Sequence, residues 1–474
     1  MKKLINIKWW VLLVMPLFFL NACKKGNDLY VSPNNPLEVT PALLLTAVQV
    51  STFNSYEGLL VKYGSVLVQQ NVGVDGQALP INNYTIAENE LDNQWGQLYQ
   101  ALYNCKEMQT KFGEENPYYS GMADVMAAMN WGILTDLWGD IPFSEALQAQ
   151  ANYQPKYDAQ RDVMIGILAM LDAGISKLSQ TSDANTFLPG RDDLVYAGDV
   201  TKWIKLAYSL KARYQNRLSK TSLYNANDVL ESLSRGIQNS NDDFVSMHAS
   251  GAMDRNQWND FQNNRQRYIL AASTLVDAMQ ERPTDLRVYA YFDTILTQGQ
   301  LVGSAIDVPS ANASEWGAYL AGNVLEVVLD DDGNPTSVLR DPSKSVRLVS
   351  YVEMKFIEAE VRSRQGGDAA TPLNEAIRES CVTVTDGVYS GADIAVYTGA
   401  TATLEKIMTE KWMALFGSLE PYNDYRKTGF PTLTVNPSGR LNVIPKRFPT
   451  PQTERVGNRN APVPALTEAV WWAQ

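Results

Sequence analysis

Apolar residues recur three and four positions apart along most of the chain from Pro41 onward, the spacing that keeps one face of an α-helix dry. On that pattern helices are predicted over 41–70, with a break near Phe53–Tyr56, and over 88–112, 119–138, 159–179, 199–219, 225–238, 270–281, 346–365, 371–382 and 402–417. Pro41 suits a first helical turn, where its missing N–H is not needed. The intervening segments 71–87, 239–268, 295–345 and 428–461 are rich in Asn, Gly, Pro, Ser and Asp and read as loops. Val324–Leu339 is different: a strand-like run lies on each side of Asp330-Asp331-Asp332-Gly333-Asn334, which predicts a hairpin. Those aspartates do not follow EF-hand spacing, so a solvated turn is expected rather than a calcium loop, and no metal site or cofactor is expected elsewhere. The fold class is mostly α with long decorating loops, although no clean 34-residue repeat signature recurs.

The first residues follow another rule. Lys2, Lys3 and Lys8 precede an apolar run from Trp9 to Leu20, and its 12 residues are too few to span a bilayer, which takes about 20. A basic start, a short apolar core and a small residue before the cut describe a secretory signal. Leu20-Asn21-Ala22-Cys23 resembles the lipobox of bacterial lipoproteins, in which the thiol is lipidated and becomes the first mature residue. The expected organisation is a lipoprotein signal peptide over 1–22, a lipidated tether over 23–40 with Cys23 as the acylated residue, and one domain over 41–474. The membrane is contacted through the lipid anchor only.

Charge and rare residues narrow the chemistry. Without residues 1–22 the chain keeps 37 Lys and Arg against 52 Asp and Glu, a net charge of −15. Such a surface repels nucleic acid and anionic lipid. The single histidine, His248, weakens hydrolase chemistries that need an imidazole base or a His-rich metal site. Carboxylate-pair glycosidase chemistry needs only Asp and Glu and stays open. Cys105 and Cys381 sit in helix-like apolar patterns and read as two buried thiols, with one disulfide as the alternative.

Three local motifs carry a resemblance. Asn130–Leu147 contains Asp136-Leu137-Trp138-Gly139-Asp140-Ile141-Pro142-Phe143-Ser144-Glu145-Ala146, a helix ended by glycine and followed by a proline-fixed turn. Glu410-Lys411-Trp412-Met413-Ala414-Leu415-Phe416-Gly417 continues to Tyr422-Asn423-Asp424-Tyr425-Arg426-Lys427-Thr428-Gly429-Phe430-Pro431. Ile444-Pro445-Lys446-Arg447-Phe448-Pro449-Thr450-Pro451 precedes Glu454, Asn458 and Asn460. Together with the lipobox they resemble the SusD/RagB family of outer-membrane nutrient-binding lipoproteins of Bacteroidetes; Phe430 and Phe448 are a mild departure. The resemblance implies a SusD-like fold with four tetratricopeptide-like helix pairs. It further implies a cell-surface lipoprotein that captures an oligosaccharide or peptide and passes it to a partner TonB-dependent outer-membrane transporter (SusC-like). The motif residues Asp136, Asp140, Asp424 and Arg426 are expected to make charge-assisted hydrogen bonds between loop and helix rather than to hold ligand.

Ligand contact is expected from loop aromatics flanked by amides, since a sugar needs a flat apolar face and placed polar groups. Helix-borne Trp203 and Trp412 read as core. The run Asp254–Arg265 reads as a surface platform, with Trp258, Asn259 and Arg265 as its candidates. Trp316 and Tyr319 form a second candidate loop, and Asn83 and Tyr84 a third. No catalytic residue is expected, and the chain reads as a binding protein rather than an enzyme. The alternatives are a surface glycoside hydrolase using two carboxylates and a helical-repeat scaffold for other proteins.

Overall fold

The computed structural model describes residues 39–474, apart from 252, 253, 323, 330–334 and 395. The signal segment, Cys23, most of the tether and the Asp330–Asn334 turn lie outside the described residues.

The long helices are α1 (Pro41–Ser55), α2 (Asp92–Phe112), α3 (Pro117–Trp138), α4 (Gln160–Leu178), α5 (Val200–Arg217), α6 (Ala226–Arg235), α7 (Gln257–Asn264), α8 (Ser273–Gln280), α9 (Tyr351–Arg364), α10 (Ala370–Val384), α11 (Leu404–Ala414) and α12 (Glu420–Thr428). Helices α1 and α2, α3 and α4, α5 and α6, and α9 and α10 pack as pairs. The first helices of the pairs also stack on one another, α1 on α3, α3 on α5 and α5 on α9. This is the four-pair scaffold that the motifs implied.

Sequence explains the stack locally. Thr40, Asp199, Ser350 and Thr403 accept backbone N–H bonds at the starts of α1, α5, α9 and α11, which satisfies donors that a first turn leaves unpaired. Every residue of α3 is buried, as expected of a helix without a polar face. Its glycines permit close crossing. A Cβ on Gly174 of α4 would come within 3.1 Å of the Gly121 carbonyl oxygen, and the Tyr214 hydroxyl lies where a Gly132 side chain would begin.

Between the pairs runs a buried layer of charge. Arg213 pairs with Glu353 at 2.5 Å, joining α5 to α9, and Arg217 reaches Glu420 at 2.7 Å and Asp136 at 3.2 Å. Lys427 meets Glu360 at 2.8 Å and Asp424 at 3.3 Å, and Lys411 meets Asp424 at 2.7 Å. Burial alone would raise the Glu420 carboxyl, but Arg217 and Arg213 bring it down to about 2. Asp424 is likewise held well below the usual carboxylate range, against its burial, by Lys411 and Lys427. At Asp136 burial wins over Arg217 and lifts the carboxyl to about 6.

The predicted break in the first helix is one turn of π-helix, Tyr56–Leu60, in which Gly58 has a non-helical ψ of −116°. The expected hairpin forms, Val324–Leu329 pairing antiparallel with Pro335–Arg340. Other expectations need correction. Residues 346–349 are a strand paired with Phe244–Ser246, and the helix begins only after the Ser350 cap. The segment 239–268 holds that partner strand and helix α7, and Glu420–Thr428 adds a helix that the apolar pattern did not show. Cys105 and Cys381 are buried free thiols. Burial pushes the Cys381 thiol up to about 11 and Cys105 further still.

Candidate functional site

The three sequence motifs meet one another. The Trp138 indole N–H donates to the Pro449 carbonyl at 2.8 Å, and the Phe448 N–H to Leu137 at 3.0 Å. The Tyr422 hydroxyl donates to Pro445, with its ring stacked 5.8 Å from Phe448. Asp140 accepts the N–H of Gln160 at 2.8 Å. These residues lock the C-terminal segment onto the end of α3. Arg426 makes the expected charge-assisted hydrogen bonds from helix to loop, donating to the carbonyls of Tyr422 and Lys446 and to the Asn423 amide oxygen, and among the described residues it pairs with no carboxylate.

A cavity of about 510 Å³ opens elsewhere, where three distant segments converge. The end of α1, the π turn and the short helix Val61–Leu67 after it supply Asn54, Gly58, Leu59 and Lys62. The approach to α2 and its first turns supply Asn89, Glu90, Asn93, Gln94 and Gln97, with Gln77 beside them. Helix α7 supplies Gln257, Asp260, Phe261 and Arg265. Each set follows helical spacing, so one face of each helix looks into the same space. Seven of the lining side chains are amides, offering both donors and acceptors. The Gln94 carbonyl oxygen is buried there without a hydrogen-bond partner. Sites for small molecules are usually clefts of about 300–1,000 Å³ with a few convergent polar groups.

The wall behind the cavity is built around a buried lysine. Lys62 donates to the carbonyls of Glu57 and Gly58, closing the backbone that the π turn leaves open. Its ammonium lies 4.6 Å from the Trp258 ring centre and 5.5 Å from that of Phe261. Burial lowers Lys62 to about 7, although Glu57 and Asp260 pull the other way. On the far side of the turn, His248 Nε2 lies 2.9 Å from Glu57. Burial disfavours its imidazolium, yet the Glu57 hydrogen bond and charge raise it above its ordinary value.

The candidates chosen from sequence separate accordingly. Arg265 is exposed and lines the cavity. Trp258 is fully buried, packed edge-on against Trp316 with ring centres 4.6 Å apart, so the expected surface indole is instead the floor beneath Lys62. Trp316 is also buried and donates to Asn71. Asn259 is buried and bonds the Ala321 carbonyl. Tyr319 is half-buried beside Tyr291. Tyr84 is buried and accepts the Asn436 N–H, and the Asn83 carbonyl accepts the Arg440 N–H. The run Asp254–Arg265 does contribute to the cavity, but through positions 257, 260, 261 and 265. It is a helix capped by Asn256, and its 3.6-residue period turns Trp258 and Asn259 inward. The signal missed was the amide spacing at 89, 93, 94 and 97, opposite Trp95 and Leu98. Among the described residues no cluster of three or more His, Cys, Asp or Glu is placed to hold a metal ion, and no helix is long and apolar enough to cross a membrane.

Residues 33–451 match the SusD-like family described as starch-binding, associating with outer membrane, and the chain belongs to that family. A SusD/RagB family protein from Bacteroides thetaiotaomicron is similar in structure, with a TM-score of 0.71 at 24% identity over 92% of this chain and 99% of that one. A SusD homologue from Bacteroides fragilis gives 0.74 at 20% identity, covering 92% and 100%. A chitin-binding SusD homologue from Flavobacterium johnsoniae gives 0.73 at 18%, covering 91% and 98%. No curated protein matches in sequence.

Proposed function

We propose that this chain is a lipid-anchored surface protein that binds a neutral oligosaccharide in the amide-lined cavity and delivers it to a TonB-dependent transporter in the outer membrane. The observation that carries the reading is the cavity itself: seven amides around one space, with a buried Gln94 oxygen awaiting a donor. Sugar hydroxyls donate and accept at once, which matches amides better than it matches like-charged side chains. The Phe261 ring adds an apolar face beside them. Capture needs no change of covalent bonds, so the lining carboxylates Glu90 and Asp260 serve as acceptors and not as an acid–base pair. Acylation at Cys23 would hold the body at the membrane.

The family's description as starch-binding and the chitin-binding relative set the first probes. Calorimetry of the full chain in mild detergent with maltohexaose, chitotetraose and a neutral hexapeptide tests the reading. Saturable binding of a sugar is expected, weakened at least tenfold in Asn93→Leu/Gln97→Leu, since both side chains are exposed lining groups whose loss spares the core. Binding of the peptide alone, or sugar binding untouched by the double variant, refutes it.

A further inference from the structure

A second cavity, of about 360 Å³, lies between the end of α12, the segment 435–446, the last residues of the chain and Lys220. Its charged lining is Lys220, Arg426 and Lys446, with no carboxylate. That is unexpected in a chain of net charge −12. Arg426 is 8% exposed, yet the described residues place no carboxylate within ion-pairing distance of it. Its guanidinium is fixed instead between the Tyr422 and Trp472 rings, 4.2 and 4.9 Å from their centres. Buried charges are ordinarily paired, because an unpaired one keeps its desolvation cost. Every other strongly buried cation of the nearby layer, Arg213, Arg217, Lys411 and Lys427, has its carboxylate. Among the described residues Lys220 donates only to the Ala473 carbonyl, at 3.3 Å. The remaining wall is apolar, with Val435, Val443 and Ile444.

We propose that this cavity binds an organic oxyanion, a carboxylate or phosphate ester whose head sits among Arg426, Lys220 and Lys446 and whose apolar body rests on Val435, Val443 and Ile444. A planar, pre-oriented guanidinium suits a two-oxygen head. The two exposed lysines add attraction that salt screens.

The test uses the full chain and fluorine NMR line broadening of 4-fluorobenzoate and 4-fluorophenyl phosphate, with 4-fluorobenzyl alcohol as neutral control. Broadening of at least one anion, reduced by salt and absent for the alcohol, is expected. The stronger of the two identifies the head group. Lys220→Ala/Lys446→Ala keeps the fold, because both side chains are exposed, and should weaken binding roughly two- to thirtyfold, the range for removing two exposed charge contacts. Arg426→Gln should abolish it, and where that variant fails to fold the lysine pair decides. Asn93→Leu/Gln97→Leu should leave it unchanged. Equal broadening by the alcohol, no broadening by either anion at millimolar concentration, or wild-type binding in the lysine variant overturns the proposal.

Discussion

Replacing Asp424 by Asn removes one negative charge that two buried ammonium groups share. Lys427 keeps Glu360 at 2.8 Å, but Lys411 loses the carboxylate that stands 2.7 Å away. Lys411 is 1% exposed, so water does not replace the lost partner. Breaking one side of a buried ion pair costs about 3–5 kcal/mol. Asn has nearly the shape of Asp, so no cavity term is added. Unfolding entropy near 2.1 cal/mol/K per residue over roughly 430 described residues gives about 0.9 kcal/mol per degree. The melting temperature should therefore fall by about 3–6 °C at pH 7, read by scanning calorimetry. Adding Lys411→Met should restore at least half of the loss, because the stranded cation is then gone. The sign with pH follows from the depressed carboxyls. Asp424 and Glu420 lie below their unfolded values, so their contribution is complete above the ordinary carboxylate range and is lost as pH falls through the folded values. The variant should show a shallower acid limb than the parent. A fall below 1 °C, or a double variant no better than the single one, refutes the reasoning.

Trp258→Ala should lower the melting temperature by several degrees, because a fully buried indole is lost at about 3–5 kcal/mol; an unchanged melting temperature with lost sugar binding would place the ring at the surface instead. His248→Gln should cost most stability below the ordinary histidine value and progressively less as pH rises through the raised folded value; urea titrations that differ equally at pH 5 and pH 9 would contradict the Glu57 pairing. Cys23→Ser should move the chain from the membrane fraction to the soluble fraction, and retention in membranes would remove the acyl anchor.

The helix pairs were readable because each buries one stripe, and an amphipathic stripe leaves a periodic trace. Helix α12 left none: its inward positions include Glu420, Asp424 and Lys427, which are polar but paired. The strand 346–349 merged with α9 because Val346, Leu348 and Val352 fit either period. The cavity was only half legible. Its polar lining comes from residues 54–62, 77–97 and 257–265, and nothing local announces that they converge. Trp258 misled for a physical reason. Polar neighbours implied exposure, but Asn256 and Asn259 spend their amides on capping and on the Ala321 carbonyl, so the ring could go inside without stranding them.

The π turn at Tyr56–Leu60 lies between Asn54 on one side and Lys62 on the other and holds one residue more than ordinary winding needs. One residue removed there would restore ordinary winding and leave Asn54 nearly in its present phase relative to Lys62, because the wider turn already absorbs the extra residue. Lys62 would then have no open carbonyls to close. A single-residue length change at this point therefore unties the lysine behind the wall, whereas side-chain exchanges along 89–97 adjust the lining one contact at a time. Two separate dials, one coarse and one fine, are available to a scaffold whose stacked helices need not change at all.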